Sequence, residues 1–483
     1  MSVFKPLCLA ALISTTLLCA PAGLAEDAPI MFTAQSGDSV EAFQGYVEVP
    51  ENRADPDSRM IRLNYVRFPA TTETPGHPIV YLAGGPGGSG TGTARAHRFA
   101  LFMQMRQHGD VIAFDQRGTG GSTELPVCAS SVHIADTEPV SDAELAAAYR
   151  SAVEECGTFW QDQGVDLAGY TTRESVADLS DLRAHLGADQ IDLWGISYGS
   201  HLALAALKEI PDEIGRVVIA SAEGLDQTVK LPSRTDAYIA RLQAAVDSQD
   251  LARANYPDIA GLMRRVHARL EAEPIALDIP QADGSVAPFL LQRHHLQEYA
   301  SGLISDPNWA RIMLALYANL DAGETGLAVG LLQRFHTPGE PITLRAMPTA
   351  MDLASGIGDA RLDRVEAEAR TSLLGAYLNF PMPQIRGSWN GFDLGEDFRR
   401  APTGDTPVLL LTGTLDGRTY PEAQAEAVAG LSHVTQVTVR NAGHNLFMAS
   451  PEVHAVIHAF MRDEPVTVTE ILVDLPDFTE LPF

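Results

Sequence analysis

The stretch IDLWGISYGSHLALA, residues 191–205, decides how the rest of the chain is read. Its first four residues are an apolar run that reads as a buried strand. Gly195-Ile196-Ser197-Tyr198-Gly199 follows, and small and aliphatic residues with helical spacing come after it. A serine held on a sharp strand-to-helix turn needs neighbours without a Cβ, so that strand and helix can approach closely. The turn then carries the Ser197 hydroxyl off the end of a sheet, where a substrate can reach it. With 40 glycines in 483 residues, G-x-S-x-G arises by chance in roughly one such chain in five. The pattern therefore needs its context, and here a strand precedes it and a helix follows.

Upstream, residues 77–82 (HPIVYL) form a short apolar strand running into AGGPGGSG, residues 83–90. Five glycines in the seven residues 84–90 exclude a helix or strand interior and leave backbone N–H groups free. Residues 110–114 read as the next strand, followed by the tight turn DQRGTGGS at 115–122. Earlier still, 45–50 and 60–67 alternate as an antiparallel hairpin at a sheet edge. Residues 26–40 read as a lead without regular structure. Helices are expected over 94–107, 142–159 and 173–186, and a strand over 216–220. Strand and helix in alternation mean an α/β sheet with crossover helices.

From 225 to 400 the pattern changes. Stretches at 241–246, 262–271, 294–304, 309–320 and 362–374 read as helices, with no convincing parallel strand among them, so this is an inserted, mainly helical region. Within it Trp309, Met313 and Tyr317 recur at i, i+4 and i+8, the spacing of a core stripe or of the wall of an acyl pocket. Alternation resumes with a strand at 407–413, a helix at 420–430, a strand at 435–439 and a helix at 451–462. The tail, 463–483, carries six carboxylates and no base; no function is assigned to it.

A serine hydroxyl is a poor nucleophile at neutral pH and needs a base, itself oriented by a carboxylate. In this topology the chain order is serine, acid, histidine, with the acid after a late strand and the histidine after the last. Asp416 follows the strand 407–413, and His444 follows 435–439. Each alone is an ordinary turn aspartate or loop histidine. Together with Ser197 they occupy three strand ends on one edge of the sheet, which points to nucleophilic catalysis. The oxyanion that such chemistry creates needs N–H donors. Tyr198 is expected to supply one and Gly85 the other, with Gly84 beside it and Pro86 stiffening the turn.

The amino-terminal residues read as an export signal. Lys5 is the only charge before Glu26, residues 6–20 are a short apolar run, and Gly23-Leu24-Ala25 offers small residues for cleavage after Ala25. The run is too short to span a membrane, so a periplasmic or secreted protein is expected. Cys8 and Cys19 would leave with the signal, and Cys128 and Cys156 would then pair in an oxidising compartment. The formal charge is −28, or −29 once Lys5 is removed. Such a surface repels nucleic acid and anionic membranes, so neither is expected as a partner. It would favour a cationic substrate, such as a free amino terminus, although many soluble exported proteins carry the same balance. His294 and His295 are adjacent, and adjacent residues on a helix point about 100° apart, a poor chelate. No metal and no other cofactor is expected, and the oligomeric state is left open.

GGPGG at 84–88, DQRGTGGS at 115–122, GISYGS at 195–200, LDGRTYP at 415–421 and AGHN at 442–445 stand in this order. Together they resemble the α/β-hydrolase serine peptidases that include prolyl aminopeptidase and the secreted tripeptidyl aminopeptidases. The resemblance covers 45–225 and 407–462; length, export signal and long insertion place it closer to the tripeptidyl type. It implies a mostly parallel eight-stranded sheet with helices on both faces and an inserted helical cap. The expected divisions are signal 1–25, catalytic domain 26–224 and 401–462, cap 225–400 and acidic tail 463–483. It also implies a peptide substrate cut at its free amino terminus, with acidic residues holding the ammonium. Glu223 is the candidate for that role and could equally be structural. Two departures are Ala83, where the family often has His, and Ser200, where it often has a third glycine. Proteins of this fold also cleave esters and lactones with the same machinery, so an exported esterase acting on a small acyl substrate is the alternative. A non-catalytic binding protein on this scaffold is the less favoured one, because binding alone does not call for Ser, Asp and His together.

Overall fold

Why these residues build a sheet is clearest in its strands, where neighbouring side chains alternate between two buried faces. The computed structural model describes residues 27–389 and 391–481; the expected signal, 1–25, lies outside them. The chain first lays down β1 (Ala28–Thr33), β2 (Ser39–Pro50), β3 (Met60–Phe68), β4 (Ile79–Leu82) and β5 (Val111–Phe114). A short β6 (Cys128–His133) precedes β7 (Ile191–Ser197) and β8 (Ile214–Ala222). The insertion contributes β9 (Ile275–Pro280), β10 (Val286–Leu291) and β11 (Pro341–Leu344). β12 (Val408–Gly413), β13 (Val434–Arg440) and β14 (Glu470–Leu472) follow it.

Ten of these form one sheet in the order β1-β2-β3-β5-β4-β7-β8-β12-β13-β14. The pairs from β1 to β5 are antiparallel, and those from β5 across to β14 are parallel. Ile79 and Tyr81 face one side with Val111, Trp194, Val218 and Leu409, against Phe102, Ile457 and Phe460 of two helices. Val80 and Leu82 face the other with Leu193, Val217, Val408 and Leu410, against Leu179, Leu202 and Leu207. Strands covered on both faces read as continuous apolar runs, which is why the sequence showed them.

The sheet departs from expectation at both edges. It has ten strands rather than eight. The lead expected to be irregular holds β1, whose Phe32 is buried edge-on against Phe68 with ring centroids 5.0 Å apart. The acidic tail supplies β14, and farther on Phe478 is buried in the core of the inserted region. Edge pairing depends on a partner strand rather than on local pattern, so neither strand announces itself.

Between β8 and β12 helices predominate around their own core, which includes Tyr238, Leu242, Met263, Leu296, Met313 and Tyr317. The region is not wholly helical. β9 and β10 form a hairpin, and β11 pairs with β6 of the preceding region. The longest helices that escaped the reading are Gly326–Phe335, broken up by glycine, and Ala346–Ser355, with Pro348 in its first turn. The stripe divides: Met313 and Tyr317 are core, whereas Trp309 is 52% exposed and lines no part of the cavity described below. A disulfide joins Cys128 on β6 to Cys156 in the helix Asp142–Asp162. Among the described residues no helix is long and apolar enough to cross a membrane.

Candidate active site

The parallel strands β4, β7, β12 and β13 all end at one edge, and the loops leaving them meet there, where ligands bind in open α/β sheets. Ser197 closes β7 at φ 56 and ψ −128, and the helix Tyr198–Glu209 starts at the next residue. A non-glycine residue in this left-handed region is strained. The surroundings enforce it: a Cβ at Gly199 would lie 2.1 Å from the Leu82 carbonyl oxygen. On the other side, a Cβ at Gly84 would stand 2.9 Å from the Ile196 oxygen and 3.1 Å from Ser197 Cβ. Ser200 Oγ donates to the Ser197 carbonyl at 2.5 Å and accepts the Glu223 N–H at 2.9 Å. The departure from glycine at 200 thus adds a tie between the serine turn and the end of β8.

The glycine loop after β4 is held by the DQRGTGGS turn. Asp115 is buried and accepts from Ser89 Oγ at 2.7 Å, Thr91 N at 3.0 Å and Thr91 Oγ1 at 2.7 Å. Gln116 reaches back to the Ala83 carbonyl at 3.1 Å. Arg117, also buried, makes a bidentate pair with Asp178 at 2.7 Å on both arms. These bonds fix Gly84 and Gly85 beside Ser197. Tyr198 is the first residue of its helix, where N–H groups have no partner inside the helix. Its side chain points away from the edge, into a buried cluster with Met351 and Trp160.

Asp416 and His444 lie side by side. His444 Nδ1 lies 3.0 and 3.1 Å from the two Asp416 oxygens. Asp416 is fully buried and also accepts from Arg418 N at 2.8 Å, Thr419 N at 2.9 Å and Thr419 Oγ1 at 2.7 Å. Burial works to raise its pKa, but His444 and these donors outweigh it and hold the carboxyl below its usual range. With Nδ1 facing a carboxylate, the imidazole proton belongs on Nδ1, leaving Nε2 as the acceptor. The loop is braced from two sides: His444 N–H donates to the Ser305 carbonyl at 2.8 Å, and Ser221 Oγ donates to the His444 carbonyl at 2.7 Å.

A cavity of about 650 Å³ is lined by Ser197, His444, Gly84, Gly85 and Glu223 among others, and Asp416 sits behind it. Glu223 is buried and its carboxylate pairs with Lys230 Nζ at 2.7 Å. Burial raises its pKa, but Lys230, His201 and Arg418 bring the net shift below the usual value. Asp352, on the helix Ala346–Ser355, is the opposite case: burial and the nearby Glu223 push its carboxyl up to about 7. Lys230, Arg98 and Arg418 also line the cavity. Sequence reading missed Asp352, Ser221 and Ser305, because their partners lie far away in the chain, and Lys230, whose partner Glu223 is seven residues away but shares no regular element with it. Asp115 was visible as a motif without a role.

Residues 77–272 match the family described as the alpha/beta hydrolase fold, and 393–469 match the family described as TAP-like protein. A tripeptidyl aminopeptidase of Streptomyces lividans is 32% identical over 186 residues, 37% of this chain and 34% of that one. The serine protease Hip1 of Mycobacterium bovis is 29% identical over 190 residues, 38% of this chain and 36% of its own length. A proline iminopeptidase of Arabidopsis thaliana is 30% identical over 144 residues, 30% of this chain and 26% of that one. The match thus spans about a third of the length of these curated relatives, or less.

Proposed function

We propose that the chain, whose residues 77–272 match the alpha/beta hydrolase fold family, is a serine hydrolase and, more narrowly, an exported exopeptidase releasing amino-terminal residues, proline or a tripeptide, from peptides. The observation that carries the proposal is the strained Ser197 sharing one cavity with His444, whose Nδ1 is fixed by buried Asp416. Ser197 Oγ attacks the scissile carbonyl while His444 Nε2 takes its proton. Asp416 keeps the imidazole oriented and stabilises the imidazolium as it forms. The N–H groups of Tyr198 and Gly85, with Gly84 adjacent, receive the oxyanion. His444 then protonates the leaving amine, and water, activated by the same imidazole, releases the acyl product and regenerates Ser197.

For the substrate's ammonium, the reading assigns Glu223 together with Asp352. A carboxyl raised to about 7 beside a second carboxylate is what a pair awaiting a cation looks like, and an arriving ammonium would ionise it. Export is supported by the Cys128–Cys156 disulfide, a bond of oxidising compartments. One observation favours the alternative, an exported carboxylesterase or lactonase: Lys230 already neutralises Glu223. The deciding experiment compares proline and tripeptide anilides with free and acetyl-blocked amino termini and a short acyl ester, with Ser197→Ala alongside. Preference for the free amine, abolished in Ser197→Ala, supports the exopeptidase. Equal turnover of blocked substrates, or of esters alone, overturns it in favour of the esterase.

A further inference from the structure

The pair His294-His295, set aside as a metal chelate, lies in a second cavity of about 450 Å³ that shares no lining residue with the first. The helix Arg293–Leu303 links the two: Glu298 and Tyr299 line the second cavity, and Gly302, one turn on, lines the first. Among the described residues no group of His, Cys, Asp or Glu side chains suits a metal. The imidazoles are engaged elsewhere. His295 Nδ1 accepts the Gln292 N–H at 3.1 Å, and the two Nε2 atoms share a hydrogen bond of 3.0 Å. Burial lowers both pKa values, that of His294 to about 4, so the pair is uncharged at neutral pH.

What remains in the cavity is acidic and aromatic. The Glu298 carboxylate makes no hydrogen bond or ion pair with the described residues, and burial alone holds its carboxyl above the usual range. Its field reaches Tyr149, Tyr299 and Tyr377, each of which it helps burial to push up. Phe380 closes the wall, with its ring centroid 4.8 Å from Tyr149 and 5.3 Å from Tyr377. No lysine or arginine lines the cavity, and Phe335, 65% exposed, stands among its lining residues. Glu298 is open to the cavity, where Asp136 and Glu340 add two further carboxyl groups, and carboxylates facing a cavity without a basic side chain attract a cation and repel an anion. Aromatic faces attract cations through the ring quadrupole, and the same rings cover an alkyl stem. A small inorganic ion would use the carboxylate and leave the rings idle.

From this we infer that the second cavity is a binding site for an organic cation, an ammonium or guanidinium group on an apolar stem, held by Glu298 against Tyr149, Tyr299, Tyr377 and Phe380. The cation comes either from a basic residue of a peptide engaged in the first cavity or from a free amine. The inference concerns binding and stands apart from the peptidase reading.

Calorimetric titration of the purified protein with n-butylguanidinium and n-butylammonium tests it, with n-pentanol as the uncharged match. Both cations should saturate one site, and pentanol should bind at least tenfold more weakly. Glu298→Gln should weaken the cations at least tenfold while leaving short-ester hydrolysis unchanged, and Tyr299→Leu should weaken them at least threefold. Pentanol binding as tightly as the cations, cation binding unaltered in Glu298→Gln, or no cation binding at millimolar concentration overturns the inference. Lysine- and norleucine-containing peptides then separate the sources. A KM at least threefold lower for the lysine peptide, competed by n-butylguanidinium, identifies the substrate's own basic residue. Cation binding with the two KM values equal identifies a free amine.

Discussion

The sheet edge and the inserted helical region treat charge in opposite ways. On the sheet side Asp416 is buried, yet both of its oxygens are bonded and its carboxyl stays below the usual range. On the helical side Asp352 has burial and Glu223 as neighbours and rises to about 7, and Glu298, in the second cavity, has no partner among the described residues. Charges that are fully satisfied in the fold hold one geometry, which bond-making requires. Charges left wanting create a demand that a ligand meets, which suits the choice of substrate.

The comparison is broken most directly at the acid. Asp416→Asn should lower kcat by about 10⁴ through loss of the imidazole tautomer, measured on any substrate the protein turns over, with substrate preference intact. Next in size is the anchor of the helical side. Phe478→Ala removes a buried ring from that core, where such truncations cost about 3–5 kcal/mol. Thermal melts should show the loss, with the helical region opening before the sheet. A third test addresses Lys230. Lys230→Met frees Glu223 and should lower KM for free-amine anilides about tenfold, the measure of roughly one charge-assisted bond, with blocked anilides much less affected.

Acid should act through the buried and half-buried histidines of both sides, His108 beside the sheet among them, which burial and His458 hold at about 4. Burial holds His267 and His294 at about 4, whereas an unfolded imidazole titrates near 6.5. Unfolding therefore takes up protons below about pH 6.5, and stability falls from there towards pH 4. Asp352 and Glu298, with raised values, oppose this, while Asp416, with a lowered one, keeps its contribution until more acid pH. The melting temperature should decline between pH 6.5 and 4, and His267→Gln, which leaves nothing to protonate beside Tyr317, should make the decline shallower. The smallest effect is at Trp309. Trp309→Ala should change stability by less than about 0.5 kcal/mol and leave substrate preference untouched, as expected of an exposed residue outside both cavities.

The same division explains what the sequence made legible. β4, β7, β8 and β12 were visible because strands buried on both faces are apolar without interruption. Ser197 and Asp416 were visible because each stands at or just beyond the end of such a strand, and His444 because it follows the last strand of the resumed alternation, β13. The pairing of Cys128 with Cys156 was expected from the export reading, which removes Cys8 and Cys19 and leaves these two. Opposite them, helical periodicity marks a core stripe and nothing more: it found Met313 and Tyr317 but could not show that Lys230 leans on Glu223 or that Asp352 lies near both. β1 and β14 were hidden for another reason. Their pairing is made by the neighbouring strand, and the six residues of β1 and three of β14 show no alternation long enough to read.

Finally, the order of the strands carries a consequence for synthesis. β8 and β12 lie side by side in the sheet, but the whole helical insertion separates them along the chain. Ser197 thus emerges from the ribosome long before Asp416 and His444, and the late strands must dock across that distance before the three can meet. A nascent chain carries the nucleophile without its base.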